Sequence, residues 1–552
     1  MVEIASPTAT GATRLVEMLE QLGASLVFGL PGVHNLPIWK ALSDSDIRLV
    51  GVRHEQTAAY AADGYARATG RLGVALVTTG PGAANTLGGV GEAMAAGSPV
   101  LVIATDVSTA LRREGVYRGT LHETRDQTAM FRPVTKAARL VSSAEEIAEA
   151  VFECGQIALG APTGPVYVGI PTNLLAASVP APSFAVTIPR AAGSPPSTAD
   201  INRACELLAG AERPLIWAGG GALRADAGPL VGELALKLAA PVLTTYMGRG
   251  LLAPEHSCSA PGPVHAREIG DLWDEADVVL AVGTDFDGTN TQNWQMPAPP
   301  ALISVNVDEA DANKSYASDV TLVGDARAVL EQLMPRVATR EGLAELERRL
   351  AEIGTAVAAW VQQDDEQAAA LLEIVHRAVP ADAVIVTDMC IPGYWLGGYW
   401  QVPRPRKLGY PLGWGTLGFG FPASLGASLA GAGPTVCVVG DGGFMYACGE
   451  LATVVQERIP LTIVLVEDGG YGMLRFDQVQ AGEEPFGVDL VQPDFAALAA
   501  SFGVPATTID GFGPEFGAEL RRSVTGDGAR MLIVRARLKP PPTTSPRWYR
   551  RG

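Results

Sequence analysis

Apolar residues along this chain come in short blocks that alternate with longer runs in which they recur every third or fourth position. Blocks at 25–28, 47–52, 74–78 and 100–104 read as buried strands, and the runs at 11–22 and 57–69 read as helices. The alternation returns at 215–218, 278–282 and 302–307, and again at 383–387, 435–439, 461–466 and 530–536. Strands separated by helices predict parallel sheets covered on both faces, so the expected fold class is α/β, with three doubly wound parallel-sheet domains. The expected domains are 1–178, 198–335 and 365–538. A Pro- and Ser-rich stretch at 179–197 is the first linker, and a charged helical run at 340–363 bridges the second and third. The tail, 539–552, is Pro-rich, then basic and aromatic, which suits either a disordered end or a flap over an anionic ligand. No short solenoid repeat interrupts this pattern.

Composition narrows the function. A chain of 552 residues is too long for one core. Its 59 acidic against 41 basic residues give a net charge of −18, which argues against a nucleic-acid partner but leaves room for small anions in basic loops. Six cysteines, at 154, 205, 258, 390, 437 and 448, lack metal or disulfide spacing and read as thiols of a reducing compartment. There is neither a basic-then-apolar leader nor an apolar run of about 18 residues. A soluble, cytoplasmic protein with no membrane partner is expected.

The strand ends carry the candidate chemistry. Strand 435–439 runs into Gly440-Asp441-Gly442-Gly443-Phe444, an amphipathic helical run follows at 449–458, and strand 461–466 ends in Glu467-Asp468-Gly469-Gly470-Tyr471-Gly472. In such a βαβ unit the glycines let backbone approach a diphosphate, whose charge the next helix N-terminus stabilises. Asp441 and Asp468 end the two strands, which sets two hard oxygen ligands side by side for a Mg²⁺ that also takes phosphate oxygens. Further strand-end segments are Gly29-Leu30-Pro31-Gly32, Arg53-His54-Glu55-Gln56 and Gly80-Pro81-Gly82-Ala83-Ala84-Asn85. In the middle block, Gly219-Gly220-Gly221, Gly283 and Asp308 suit either an ADP moiety or plain tight turns.

With these motifs in this order, the whole chain resembles the pyruvate-oxidase-like family of thiamine diphosphate (ThDP) enzymes. That family includes acetolactate synthases, benzaldehyde lyase, 2-hydroxyacyl-CoA lyases and 2-oxo acid decarboxylases. The resemblance implies a pyrimidine-binding, a central and a diphosphate-binding domain, in that order. It implies that Glu55 is the activating glutamate, hydrogen-bonded to the cofactor's aminopyrimidine so that a cofactor nitrogen can take the proton from thiazolium C2. In Gly415-Thr416-Leu417-Gly418 it implies that the Gly415 carbonyl holds the amino group and that Leu417 wedges the cofactor bent. It makes Asp441, Asp468 and the Gly470 carbonyl the metal ligands, with Asp468 standing where the family usually has Asn. Gly32, Pro81, Asn85, Gly440, Gly442, Gly443, Phe444, Tyr471, Gly472 and Met473 are the implied cofactor contacts. Sites shared between subunits imply a homodimer or homotetramer. FAD or ADP in the central domain stays open.

Other residues bear on the substrate. His34 and His122 lie in loop segments of the first block, where a neutral imidazole near C2 could move a substrate proton, and the alternative is a pair of surface imidazoles. His54 reads as structural. Asp477 stands where acetolactate synthases place a substrate-selecting Trp, Cys390-Ile391-Pro392-Gly393 replaces a loop containing Gln and His, and Lys136 is retained. The expected activity is decarboxylation of a 2-oxo acid, with carboligation of the resulting enamine to an acceptor aldehyde or ketone. The alternatives are cleavage of a 2-hydroxy ketone or 2-hydroxyacyl-CoA, and a non-catalytic nucleotide-binding subunit.

Overall fold

A computed structural model describes residues 9–113, 115–180 and 196–542. Residues 181–195 of the expected linker and 543–552 of the expected tail lie outside the described residues. Three parallel sheets organise the chain. The first is six-stranded, in the order Arg48–Gly51, Leu26–Gly29, Gly73–Val77, Val100–Asp106, Val166–Pro171, Ala137–Leu140. The second has five strands, Val242–Thr244, Pro214–Ala218, Val278–Val282, Ala301–Asn306 and Val320–Val323. The third is again six-stranded, in the order Leu408–Gly409, Val384–Thr387, Thr435–Gly440, Thr462–Glu467, Arg530–Arg535, Ala506–Asp510. The first and third sheets repeat one topology: numbered within each domain, the strands lie second, first, third, fourth, sixth, fifth. Each sheet has central strands buried along their whole length, as expected where helices cover both faces.

The two six-stranded domains meet backbone to backbone. Helix Glu55–Thr69 crosses helix Gly420–Leu429 on small residues: a Cβ on Gly64 would lie 2.0 Å from the Ala423 carbonyl oxygen, and one on Gly426 1.8 Å from that of Ala61. Beside the crossing, buried Arg67 bonds both oxygens of Asp63 (2.9 and 2.8 Å) and Glu92 (3.1 Å), and lies 4.7 Å from the Phe419 ring centroid. This first-domain triad reaches the third domain through two bonds, Arg67 Nη1 donating to Tyr410 O at 2.8 Å and the Thr416 hydroxyl donating to Glu92 Oε2 at 3.1 Å, and removing any of the three would strand a buried charge beside the contact.

Several elements differ from expectation. Helix Glu55–Thr69 starts before the expected 57–69, because the His54 side chain caps it by accepting the Gln56 N–H at 3.2 Å. The expected helix at 449–458 divides into a 3₁₀ turn, Cys448–Glu450, and a helix, Leu451–Gln456. The expected bridge is a helix over Leu343–Asp364. The start of the tail is tied to the end of that bridge: the Lys539 N–H donates to Asp365 Oδ2 at 2.6 Å, and Trp395 Nε1 donates to the Lys539 carbonyl at 2.8 Å. No helix among the described residues is long and apolar enough to cross a membrane.

Candidate active site

At the carboxyl edge of the third sheet lies a cavity of about 200 Å³. Gly440, Gly442, Gly443, Asp468, Gly470, Tyr471, Gly472, Met473, Gly415 and Leu417 line it, together with Met389, Cys390, Ile391, Pro392 and Tyr394. The glycines are there because side chains would not fit: a Cβ on Gly442 would meet the Tyr471 ring at 2.8 Å, and one on Gly443 would meet Asp388 Oδ2 at 2.6 Å. Phe444 points away, with its buried ring 5.2 Å from Phe421 and 6.1 Å from Phe495 in the core.

Asp441 lies beneath the floor. Its Oδ2 accepts the N–H groups of Asp468 (3.2 Å) and Gly469 (2.8 Å), and its Oδ1 accepts that of Gly442 (2.6 Å). Asp468 Oδ1 accepts the Gly470 N–H at 3.1 Å. Burial, then the charge of Asp441, pushes the Asp468 carboxyl up to about 6. Two carboxylates that repel each other beside a glycine-lined cavity suit a divalent cation. A metal held by two carboxylates and one carbonyl would keep positions for phosphate oxygens. The residues therefore fit Mg²⁺ and a diphosphate.

Asp388 was not singled out from the sequence. It is fully buried at the end of strand Val384–Thr387 and accepts the N–H of Gly418 on both oxygens at 3.0 Å and that of Met389 at 2.7 Å. It thereby shapes the loop that carries Gly415 and Leu417. Burial pushes its carboxyl up to about 6. A strand-end Asp is the signal that could have found it, the same one that marks Asp441 and Asp468.

A second group forms at the carboxyl edge of the first sheet. Glu55, in the first turn of its helix and 8% exposed, accepts a hydrogen bond on Oε2 from Asn85 Nδ2 at 3.0 Å. Pro81 opens the short helix Pro81–Ala84 that presents Asn85. The Gly80 N–H donates to buried Gln127 Oε1 at 2.7 Å, and Gln127 Nε2 donates to Thr105 O and Tyr167 Oη, so Gln127 is a further organiser of this loop. Gly32 packs on Thr78, where a Cβ would lie 2.5 Å from Oγ1, and its N–H donates to Asn35 Oδ1 at 2.8 Å. The His34 and His122 rings meet edge to face at 5.7 Å, and His34 Nδ1 lies 2.7 Å from Thr79 Oγ1. Burial first, and His122 second, hold His34 below the ordinary histidine value. Lys136 takes no part: its Nζ donates to the carbonyls of Ile157 and Gly160 at the end of helix Glu146–Leu159.

Where the three domains meet lies another cavity of about 200 Å³, lined by Arg67, Arg224, Arg249, Arg406, Tyr246 and Tyr410 among others. Arg224 donates to Ala96 O and Arg249 to Trp400 O, and burial pushes both guanidinium groups down to about 10. Neither has a carboxylate in ion-pair contact among the described residues. Of the middle-domain candidates, Gly220 lines this cavity. Gly219 and Gly221 instead pack backbone to backbone on Gly283, and Asp308 caps helix Glu309–Asn313.

The chain matches three family models: thiamine pyrophosphate enzyme, N-terminal TPP binding domain over residues 9–130, central domain over 201–333 and C-terminal TPP binding domain over 390–534. It is 38% identical over 504 residues to a probable 2-ketoarginine decarboxylase of Pseudomonas aeruginosa, covering 90% of this chain and 89% of that one. It is 32% identical over 524 residues to a probable acetolactate synthase large subunit of Methanocaldococcus jannaschii, covering 90% and 87%. It is 30% identical over 521 residues to the acetolactate synthase isozyme 3 large subunit of Escherichia coli, covering 90% and 88%. With the strand-end glycines, the paired aspartates and Glu55 in place, the chain belongs to the thiamine pyrophosphate enzymes and is a ThDP-dependent enzyme of the acetolactate-synthase-like family.

Proposed function

We propose that this enzyme decarboxylates a 2-oxo acid that carries a cationic side chain, releasing CO₂ and either an aldehyde or the product of joining that aldehyde unit to an acceptor carbonyl. Asp477 carries the reading. It stands one helical turn beyond Met473 and Leu474, which line the diphosphate-side cavity. It is exposed, forms no ion pair among the described residues, and its charge reaches Tyr394 on the cavity wall. A carboxylate at that rim matches a guanidinium in two parallel hydrogen bonds. The Pseudomonas relative is named for a 2-oxo acid of this kind.

When bound, ThDP supplies the carbon nucleophile and the electron sink. The chain does the rest. Asp441, Asp468 and the Gly470 carbonyl would hold Mg²⁺, the cavity glycines would admit the diphosphate, and Leu417 would pack against the cofactor. Asn85 occupies Glu55 Oε2, which leaves Oε1 to hold a proton against the pyrimidine. The cavity residues lie within 389–474 and include none of Glu55, His34 or His122, so a second copy of the chain completes each site. Apolar surface flanks both halves, with Val33 84%, Leu121 74%, Tyr446 56% and Trp414 54% exposed, and a second copy would cover it. The arginine-lined cavity takes the diphosphate of ADP or FAD, and an absorption spectrum separates the two.

The test compares kcat/KM for 5-guanidino-2-oxopentanoate and for pyruvate. The guanidino acid is favoured, and Asp477→Asn removes at least tenfold of that preference. A preference for pyruvate that Asp477→Asn leaves unchanged would overturn the cationic-donor reading. The His34–His122 contact favours one second reading, cleavage of a 2-hydroxy ketone with an imidazole as base. Benzoin cleavage without CO₂ release from any 2-oxo acid would establish that reading instead.

A further inference from the structure

Glu450 is 1% exposed and ends the turn that follows the Gly440–Phe444 segment. Its Oε1 accepts the backbone N–H groups of Arg53 (2.9 Å) and His54 (3.0 Å). Its Oε2 accepts the Arg53 N–H again at 3.1 Å and the Thr453 hydroxyl at 2.5 Å. The Arg53 guanidinium does not neutralise it, because it donates to Gly51 O and Gln456 Oε1. A buried carboxylate with no cation on it is costly unless its hydrogen bonds and local field compensate. Here the compensation comes from two backbone donors at the head of the 15-residue helix Glu55–Thr69, where the helix dipole favours negative charge.

Those donors belong to the two residues that precede Glu55. Glu55 is thus held twice: Asn85 fixes its carboxylate, and Glu450 fixes the backbone from which its side chain springs. The two holds come from different domains. Asp441, at one end of a ten-residue segment, lies beside the cavity floor, and Glu450, at the other end, reaches the start of the Glu55 helix.

We propose that Glu450 is the positioning residue for Glu55, and that through it the segment shaping the diphosphate half-site sets the aim of the carboxylate in the other half-site of the same chain. This rests on the activating role of Glu55. Because each site draws its halves from two copies, the contact also links two neighbouring sites. A displacement of about 1 Å in such a group can cost on the order of a hundredfold in rate.

The experiment uses the full-length protein with Glu450→Ala and Glu450→Gln. Amide hydrogen exchange of the segment 50–60 is read by mass spectrometry without cofactor. ThDP affinity is read by calorimetry, and exchange of the C2 proton of bound ThDP by quenched-flow NMR. The alanine variant is expected to lose protection at Arg53 and His54 and to slow C2 exchange at least tenfold, with ThDP affinity within threefold of the parent. The glutamine variant, whose amide oxygen still accepts, recovers most of both, and it keeps the test open should the alanine variant not fold. Lost amide protection with unchanged C2 exchange would reduce Glu450 to a structural contact and overturn the proposal. Absence of C2 exchange in the unsubstituted protein would instead sink the reading of Glu55, and the positioning role with it, before any variant is made.

Discussion

The backbone N–H of Asp468 donates to the Asp441 carboxylate at 3.2 Å, so the two acids that end adjacent strands meet at the cavity floor, and the charge of Asp441 opposes ionisation of Asp468. The Asp468 carboxyl is raised to about 6. A carboxyl raised on folding contributes stability that is fully present below its unfolded value and is lost as pH rises through the folded one. In metal-free protein this contribution therefore declines between about pH 4 and 6.

Replacing Asp468 by Asn removes that repulsion. The metal-free protein is expected to gain on the order of 1–2 kcal/mol at pH 7 and nothing at pH 4, as read by denaturant unfolding. Mg²⁺ with ThDP should stabilise the parent more at pH 7 than at pH 5. Equal stabilisation at both pH values would show that the pair is not the cation site.

Glu55→Gln is expected to lower kcat by at least a hundredfold while leaving ThDP affinity within a few-fold, because the amide cannot hold the proton. Asn85→Ala frees Oε2 and is expected to cost about tenfold in kcat, with little change in KM. Steady-state kinetics with saturating cofactor separates the two. A Glu55→Gln enzyme with unchanged kcat would remove Glu55 from the chemistry.

Much of this was legible in the sequence because the candidate site is built from strand ends. The paired aspartates, the glycines at 440, 442 and 443, and Glu55 stand where a parallel sheet delivers its loops, and the structure places them there. Two kinds of residue were not legible. Glu450 meets Arg53 across 397 positions, and no periodicity encodes a contact of that span. Phe444 has the right letter in the right motif, yet its ring turns into the core, since the motif fixes the backbone and not the direction of each side chain. The middle domain left two readings open in the sequence: Gly219 and Gly221 serve close backbone packing on Gly283, while Gly220 lines a cavity whose arginines come from all three domains, a convergence that no local motif encodes.

The crossing of helices Glu55–Thr69 and Gly420–Leu429 leaves no room for a methyl group. Gly426→Ala is expected to destabilise the protein by about 1–3 kcal/mol or more and to lower the cooperativity of unfolding, because the two six-stranded domains must part. Differential scanning calorimetry reads both effects. A variant with the parent's single transition and midpoint would show that the crossing can relax.

The decisive measurement is release of labelled CO₂ from C1 of 5-guanidino-2-oxopentanoate by the purified enzyme, with ThDP and Mg²⁺ each present or withheld, alongside the Glu55→Gln variant. Release that requires both additions, and falls at least a hundredfold in the variant, is expected. Release that is indifferent to ThDP, or a variant as active as the parent, would contradict the reading of this site.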